Sequence, residues 1–482
     1  INFNAQIVSL TTASATSSRT LPACGAVQIA SGGSPLFFSF VASASSGAGT
    51  RMMMMPANTV EVFQTQGNHT ISLKIDGATA PTTASITPMV GNTAGTRLAG
   101  DPSFQLDFTD GGDGSVDILP SIGQVFPTFT RATVAWTKLP SGLWAQMAAG
   151  VPRAFYSGFT TAVGSYLGYI AEGAGTQLVT PTASIRDMTD ASWTKGATMT
   201  AAKTGTGIDG VANSCSRLTA GAVAATNTAF QTLVAAATSR TYSVWLKRVT
   251  GTGTINITQD GGSTFTDVTA LINASTFTQV SLTASVNNAA FGIQMDTNTD
   301  VILADFNQFE SGAFATSPMA AAGAARNADA LTYPIAVSFW NDNAFTAYVK
   351  ASIYAVNSAT NQIVLNIHDG TANNRHTMRS APGAASFNCE TLSGGASQFG
   401  ISLAGVTVGA SFKVAYAAQA NDAAARENDG AIGTDTTGSM PTGLTTISVG
   451  LLNSSQHLYG AIQSVALFRT MLPDAQLQAL TA

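Results

Sequence analysis

Short runs of Val, Ile, Thr and aromatic residues, broken by Gly, Asn, Asp, Ser and Pro, recur along nearly the whole chain. They stand at 60–63 and 70–75, at 240–248 and 254–258, and at 344–354, 363–367 and 411–417. These residue types suit a pleated, half-buried surface, and regular short runs separated by turn signals predict sandwiches or jelly rolls. Helical periodicity is nearly absent. One short helix is predicted at 474–480, started by Pro473 and Asp474. The predicted fold class is therefore all-β, a multidomain string of β-sandwiches or jelly rolls.

The 482 residues exceed one ordinary sandwich, and at roughly 100–200 residues per domain they predict about three. Four parts are expected. Residues 1–99 form an all-β module with a Pro- and Thr-rich exit. Residues 100–180 form a connecting segment rich in Gly, Pro and aromatics. Residues 181–330 form a second sandwich, opening near Trp193, and residues 331–482 a third. No fixed-period repeat of the solenoid kind is present.

Charged residues are 10% of the chain, against about 25% in an average soluble domain. Hydrophobic residues are 45%, enough for sizeable cores, so Thr, Ser, Asn, Gln, Gly and Ala must cover the surface. The net charge of −5 argues against nucleic-acid binding, which wants a basic face. No run approaches the roughly 20 apolar residues of a membrane span, and the first ten residues lack the pattern of a signal peptide. Cys24, Cys215 and Cys389 are too far apart and too few for a disulfide framework, so synthesis in a reducing cytoplasm is expected. This composition suits an assembled structural or adhesive protein better than a metabolic enzyme.

Candidate chemistry is sparse, and no cofactor is expected. Asp107, Asp110, Asp113 and Asp117 form the densest acidic group and are weak calcium candidates, without an EF-hand register. A solvated turn is the alternative. His368 and His376 could face each other across a hairpin, but a zinc site needs a third ligand, and Asp369 is the one near candidate. Neither a G-x-S-x-G elbow nor a P-loop is present. Met52, Met53, Met54 and Met55 read either as an assembly contact or as a plain edge strand, since four flexible thioethers in a row need covering.

Three stretches resemble bacteriophage virion-surface proteins of the tail-fibre, tail-spike and head-fibre or decoration kind. The first runs through Phe129-Thr130-Arg131-Ala132-Thr133, Val151-Pro152-Arg153-Ala154-Phe155-Tyr156 and Tyr169-Ile170-Ala171-Glu172. It is similar to the "FTRAS … VPRF … GLLIE … TN" passage that precedes a carbohydrate-binding-like jelly roll in that family. Gln177 stands here where an Asn is usual. The second comprises Gln308-Phe309-Glu310, Ala315-Thr316-Ser317-Pro318 and Arg326-Asn327-Ala328-Asp329. It resembles the "Q-x-E-x-G-x-x-A-T-S … R-A-A-D" ending of those jelly rolls, and Thr241 to Lys247 fits the same pattern. The third includes Asp429-Gly430, Tyr459-Gly460-Ala461-Ile462 and Val465-Ala466-Leu467-Phe468-Arg469. It is similar to a concanavalin A-like or laminin-G-like sandwich.

The resemblance implies a virion-surface protein without enzymatic activity, attached to capsid or tail by its first module, assembled as a homotrimer, and binding host-surface glycan. The alternatives are a polysaccharide-trimming spike enzyme and a structural decoration without a receptor. For glycan contact, Trp340, Asn341, Asp342, Asn343 and Tyr348 are the candidates, with an indole to stack on a sugar and short polar side chains to bond its hydroxyls. The competing reading makes Trp340 a core residue beneath a turn built by Asn341, Asp342 and Asn343. Trp193 and Trp245 are expected to fill the middle sandwich.

Overall fold

The computed structural model describes residues 98 and 102–482, apart from 123–124, 222–223, 324 and 453–455. Before them it describes the backbone of eight strands between residues 6 and 89. Nearly all of it is β-structure, so the all-β class expected from the sequence holds. The chain divides into two compact units, residues 1–97 with 119–121, and the remainder.

In the first unit the strands make two four-stranded sheets. Numbered in chain order, they run 1-8-3-6 and 2-7-4-5. This is the interleaved order of two Greek keys, the topology of a jelly roll. Met53–Met55 is the last strand of the second sheet and pairs with Leu36–Ala42. The side chains of these eight strands, and Met52 altogether, lie outside the described residues, as does the assembly contact expected of the methionines.

The middle sandwich packs two five-stranded sheets. One includes Thr200–Gly205, Cys215–Thr219, Val301–Ser311, Ser239–Thr250 and Thr278–Ser285, in that spatial order. Along Ser239–Thr250, Tyr242, Val244 and Leu246 belong to the core that also holds Phe291 and Ile293 of the facing sheet. Trp193 fills that core edge-on to Phe291, as expected. Trp245 points the other way and is covered from outside.

The cover comes from residues 100–180, which are no mere connection. The hairpin of Ala135–Lys138 and Trp144–Met147 sets Trp144 against Trp245, ring centroids 5.0 Å apart. The segment beyond it bonds to the sheet edge. Thr161 N donates to Phe277 O at 2.9 Å, and Gln279 N donates to Phe159 O at 2.9 Å.

The same stretch completes the C-terminal sandwich. Thr128–Thr130 pairs with Ala330–Pro334 in a seven-stranded sheet. In the facing sheet, Phe104–Asp107 and Tyr166–Ala171 lie along one edge of Gly460–Phe468, and Ala154–Tyr156 pairs with Tyr166–Ala171. Gly168 permits this closeness. Its φ is +118°, and a Cβ there would meet the Ile462 carbonyl oxygen at 2.0 Å. The middle sandwich is therefore an insertion between two strands of the outer one, and the expected 331–482 domain is only part of a sandwich that starts near residue 104.

One α-helix, Asp474–Thr481, closes the described chain close to its predicted span. It buries Leu477 and Leu480 against Tyr348, Ala415, Ala417 and Phe468. No described helix is long and apolar enough to cross a membrane.

Candidate functional site

The structure separates the five glycan candidates. Strand Ala344–Ile353 alternates its faces. Phe345, Ala347 and Val349 enter the sandwich core with Trp340, whereas Tyr348 faces the C-terminal helix. Trp340 is 5% exposed and Tyr348 3%, so neither ring offers a stacking surface. Trp340 Nε1 donates to Asp342 Oδ1 at 2.7 Å, and Asp342 Oδ2 accepts Gly443 N at 2.9 Å. Asn341 Nδ2 donates to Arg469 O at 3.0 Å, and its Oδ1 accepts Asn343 N at 3.1 Å. The local polar residues thus fasten a turn over a core indole, and the sugar-platform expectation is corrected.

The acidic group near residue 110 is likewise dispersed. Asp107 Oδ2 accepts Gln105 Nε2 at 2.6 Å, Asp110 accepts the Tyr156 hydroxyl and Gly112 N, and Asp113 accepts Ser115 N. Among the described residues no three His, Cys, Asp or Glu side chains gather as a metal site. His368 and His376 occupy paired strands, but His368 stands opposite Arg375 and His376 opposite Ile367. Neighbouring positions along a strand point to opposite faces, so the two imidazoles do not meet.

The residues behind the fibre resemblance do come together, in a cluster sealed from water. Arg153 Nη2 donates to Glu172 Oε2 at 2.7 Å and to Asp329 Oδ2 at 2.5 Å. Arg131 Nη1 donates to Asp329 Oδ1 at 2.8 Å. Arg326 Nη1 donates to Glu172 Oε2 at 2.8 Å and to Ser317 Oγ at 2.6 Å. The Tyr354 hydroxyl reaches Glu172 Oε1. Burial alone would raise the Glu172 carboxyl, but Arg326, Arg153 and the Ser317 hydroxyl hold it at about 2. Next to it, Gln177 Nε2 donates to the carbonyls of Asn307 and Met319, and Oε1 accepts Val179 N and Phe309 N. Glu310 accepts Gln308 Nε2 at 2.6 Å and Thr316 N at 2.9 Å. Sealed from solvent and with its carboxylate oxygens all bonded, though the Nε groups of Arg153 and Arg326 have no partner among the described residues, this cluster is a charged hub that joins the inserted sandwich to the outer one and presents no open face to a ligand.

An open site lies instead on the outer face of the middle sandwich. The hairpin covers only part of the sheet there. Beyond its edge is a groove of about 670 Å³, within the range of roughly 300–1,000 Å³ usual for small-ligand sites. Its floor is one cross-strand row: Arg217 stands opposite Leu303, and Leu303 opposite Lys247. Leu143, at the tip of the hairpin, walls it at the covered end. Thr204 and Thr206 line one side and Ser275 and Phe277 the other. Gly210 has φ +76°, and a Cβ there would meet the Leu143 side chain at 3.1 Å.

Charge in the groove is one-sided. Arg217, Lys247 and Arg248 line it, and no Asp or Glu does. Arg248 is already paired with Asp300 at 3.1 Å. Arg217 and Lys247 make no side-chain hydrogen bond or ion pair among the described residues, and both are half-exposed. Sequence reading missed them. The signal was there in outline: a cation beside a leucine within a strand, in Arg217-Leu218 and in Leu246-Lys247, in a chain with only 21 Lys and Arg. What the sequence lacked was the register that places them in one row.

The chain matches no protein-family model and no curated protein. It is similar in part to several solved structures. One is the CBM40 module of a Ruminococcus gnavus IT-sialidase bound to α2,3-sialyllactose, 19% identical, covering 30% of this chain and 84% of that one with a TM-score of 0.26. Another is the CBM22-1–CBM22-2 tandem of Paenibacillus barcinonensis Xyn10C, 10% identical, covering 62% of this chain and 100% of that one at 0.22. A third is domains LG4-5 of the mouse laminin α1 chain, 7% identical, covering 63% of this chain and 96% of that one at 0.19. The fold class rests on the strand pairing described above.

Chemically, the groove combines an apolar strip, hydroxyls and two free cations. Hydroxyls and cations can bond a polar ligand's oxygens, and the half-buried Leu303 can cover a C–H face. Carboxylate-pair hydrolysis needs two acids beside the scissile bond, and the groove lining contains none.

Proposed function

We propose that this chain is a non-enzymatic saccharide-binding protein of a bacteriophage surface, made in the host cytoplasm and carried on the particle. The observation that carries the saccharide reading is the groove over Arg217, Leu303 and Lys247, a preformed concave site with mixed polar and apolar lining. The acid-free lining favours binding over cleavage there. The virion placement is supported by the fibre-like stretches and by the jelly-roll strand order of the first unit, the module assigned to particle attachment. A surface dominated by Thr, Ser and Asn suits dense packing beside other virion proteins. In the homotrimer that the resemblance implies, weak single-site binding to host glycans is strengthened by multiplicity.

A glycan array with the purified full chain, followed by hydrogen exchange with and without the retained saccharide, tests the reading. Protection is expected at 204–210, 247–249 and 274–277. A silent array, or protection confined to other segments, refutes the groove. Shortening of host polysaccharide by the purified protein refutes the non-enzymatic part.

A further inference from the structure

We infer that the groove selects saccharides bearing an anionic substituent, a carboxylate or a sulfate ester. The inference rests on the saccharide-binding reading and deepens it. Its ground is the charge placement on the groove floor. Arg217 and Lys247 flank Leu303 in one cross-strand row, from three adjacent strands. No carboxylate lines the groove, and the remaining cation there, Arg248, is occupied by Asp300.

By contrast, Arg131, Arg153 and Arg326 in the buried cluster between the sandwiches, and Arg186, are all matched by buried or half-buried acids, at 2.5–2.8 Å. Within a chain of net charge −5, two cations left free in a concavity create a local field of opposite sign to the whole. Low-dielectric walls focus such a field, which favours an anion in the groove over the open surface. A planar guanidinium binds a carboxylate or sulfate through two parallel N–H donors, and an ammonium adds a point charge. Between them, Leu303 presents an apolar strip for the C–H face of the ring that carries the anion. A neutral sugar would leave both cations unanswered.

The test uses the full chain and titrates three saccharides of equal length by calorimetry: a uronate-containing oligosaccharide, its carboxyl-reduced neutral counterpart, and a sulfated analogue of equal charge. An ion-assisted hydrogen bond is worth about tenfold in affinity or more. At least one anionic saccharide should bind about tenfold or more tighter than the neutral one, and rising salt should erase that preference. The sulfated arm separates a carboxylate preference from recognition of charge in general, and either result upholds the inference. Arg217→Gln and Lys247→Gln should each cost about tenfold for the anionic ligand and nothing for the neutral one. Lys247→Arg should retain the preference. Both positions are half-exposed, so the variants keep the fold, which thermal melting verifies. Equal affinity for charged and neutral saccharides overturns the inference and leaves the saccharide reading standing. No binding by any of the three overturns both.

Discussion

Arg153 lies wholly out of solvent, yet it holds two carboxylates and the Trp136 carbonyl, the last at 2.6 Å. Removing ions from water costs several kcal/mol each, so such a cluster contributes little net stability even when complete. Breaking it is another matter, because the remaining charges stay buried. Arg153→Met should lower stability by about 3–5 kcal/mol, read as a drop in the urea midpoint; a loss below 1 kcal/mol would show that the cluster relaxes or admits water. A second residue sets an acid limb. His376 sits in the C-terminal core, 4.2 Å from the Phe345 ring, with Nδ1 bonded to Thr391 Oγ1 at 2.7 Å. Burial lowers its imidazole to about 3. A histidine lowered in the fold is neutral there and takes up its proton on unfolding, so its contribution is intact above about 6.5 and is lost as pH falls toward 3. His376→Gln should therefore flatten the stability–pH curve between pH 6 and 4 by up to about 1.4 kcal/mol per pH unit, one proton's worth. An unchanged slope would mean that the imidazole is not buried neutral. At this scale the sequence marked the hub residues only as a family-like signature. Their partners are 19 and 176 residues away from Arg153 in the chain, and no local rule connects such positions.

Individual strands were the most legible feature, because alternation and turn chemistry are local. Residues 344–354 and 411–417 read as strands and form Ala344–Ile353 and Ser411–Gln419, which pair with each other. The helix was legible for the same reason, with Pro473 and Asp474 at its start. Pairing was not legible, since it is decided by what covers each face. Ser239–Thr250 illustrates the difference. Its sequence announced a strand and its aromatic residues a core, but Trp245 and Tyr242 serve opposite faces, and only the Trp144 hairpin explains how an outward indole is dry. The groove is the remainder of that face, beyond the hairpin's reach. Its cations became candidates only once Leu303 was known to lie between them. Trp340 left two readings open, a sugar platform or a core ring beneath a turn, and the second holds, since three short polar residues are what a tight turn over a buried ring requires.

At the scale of the molecule the main surprise is nesting. A domain read as a connecting segment of about 80 residues instead supplies strands to one sandwich and a lid to another. Chain termini of an inserted domain lie close together, which lets a sandwich interrupt another without breaking its sheets. The sequence gives no sign of this, because a strand carries no label for the sheet it joins. Nesting makes a definite claim about which pieces can fold. A fragment of residues 331–482 lacks Thr128–Thr130, Phe104–Asp107, Ala154–Tyr156 and Tyr166–Ala171, and so bares the edges of Ala330–Pro334 and Gly460–Phe468. Unpaired edges next to an open core invite association. It also lacks Arg153, Glu172 and Arg326, the groups that face Tyr354. That fragment should be aggregated or molten, with poorly dispersed amide resonances. Residues 98–482 contain every one of these strands and both halves of the hub, and should give a folded protein with dispersed resonances and a cooperative melt. If 331–482 alone proved monomeric and cooperatively folded, the strands contributed from 104–171 would be ornaments on a self-sufficient sandwich, and the lid over Trp245 would have no coupling to the rest through the hub.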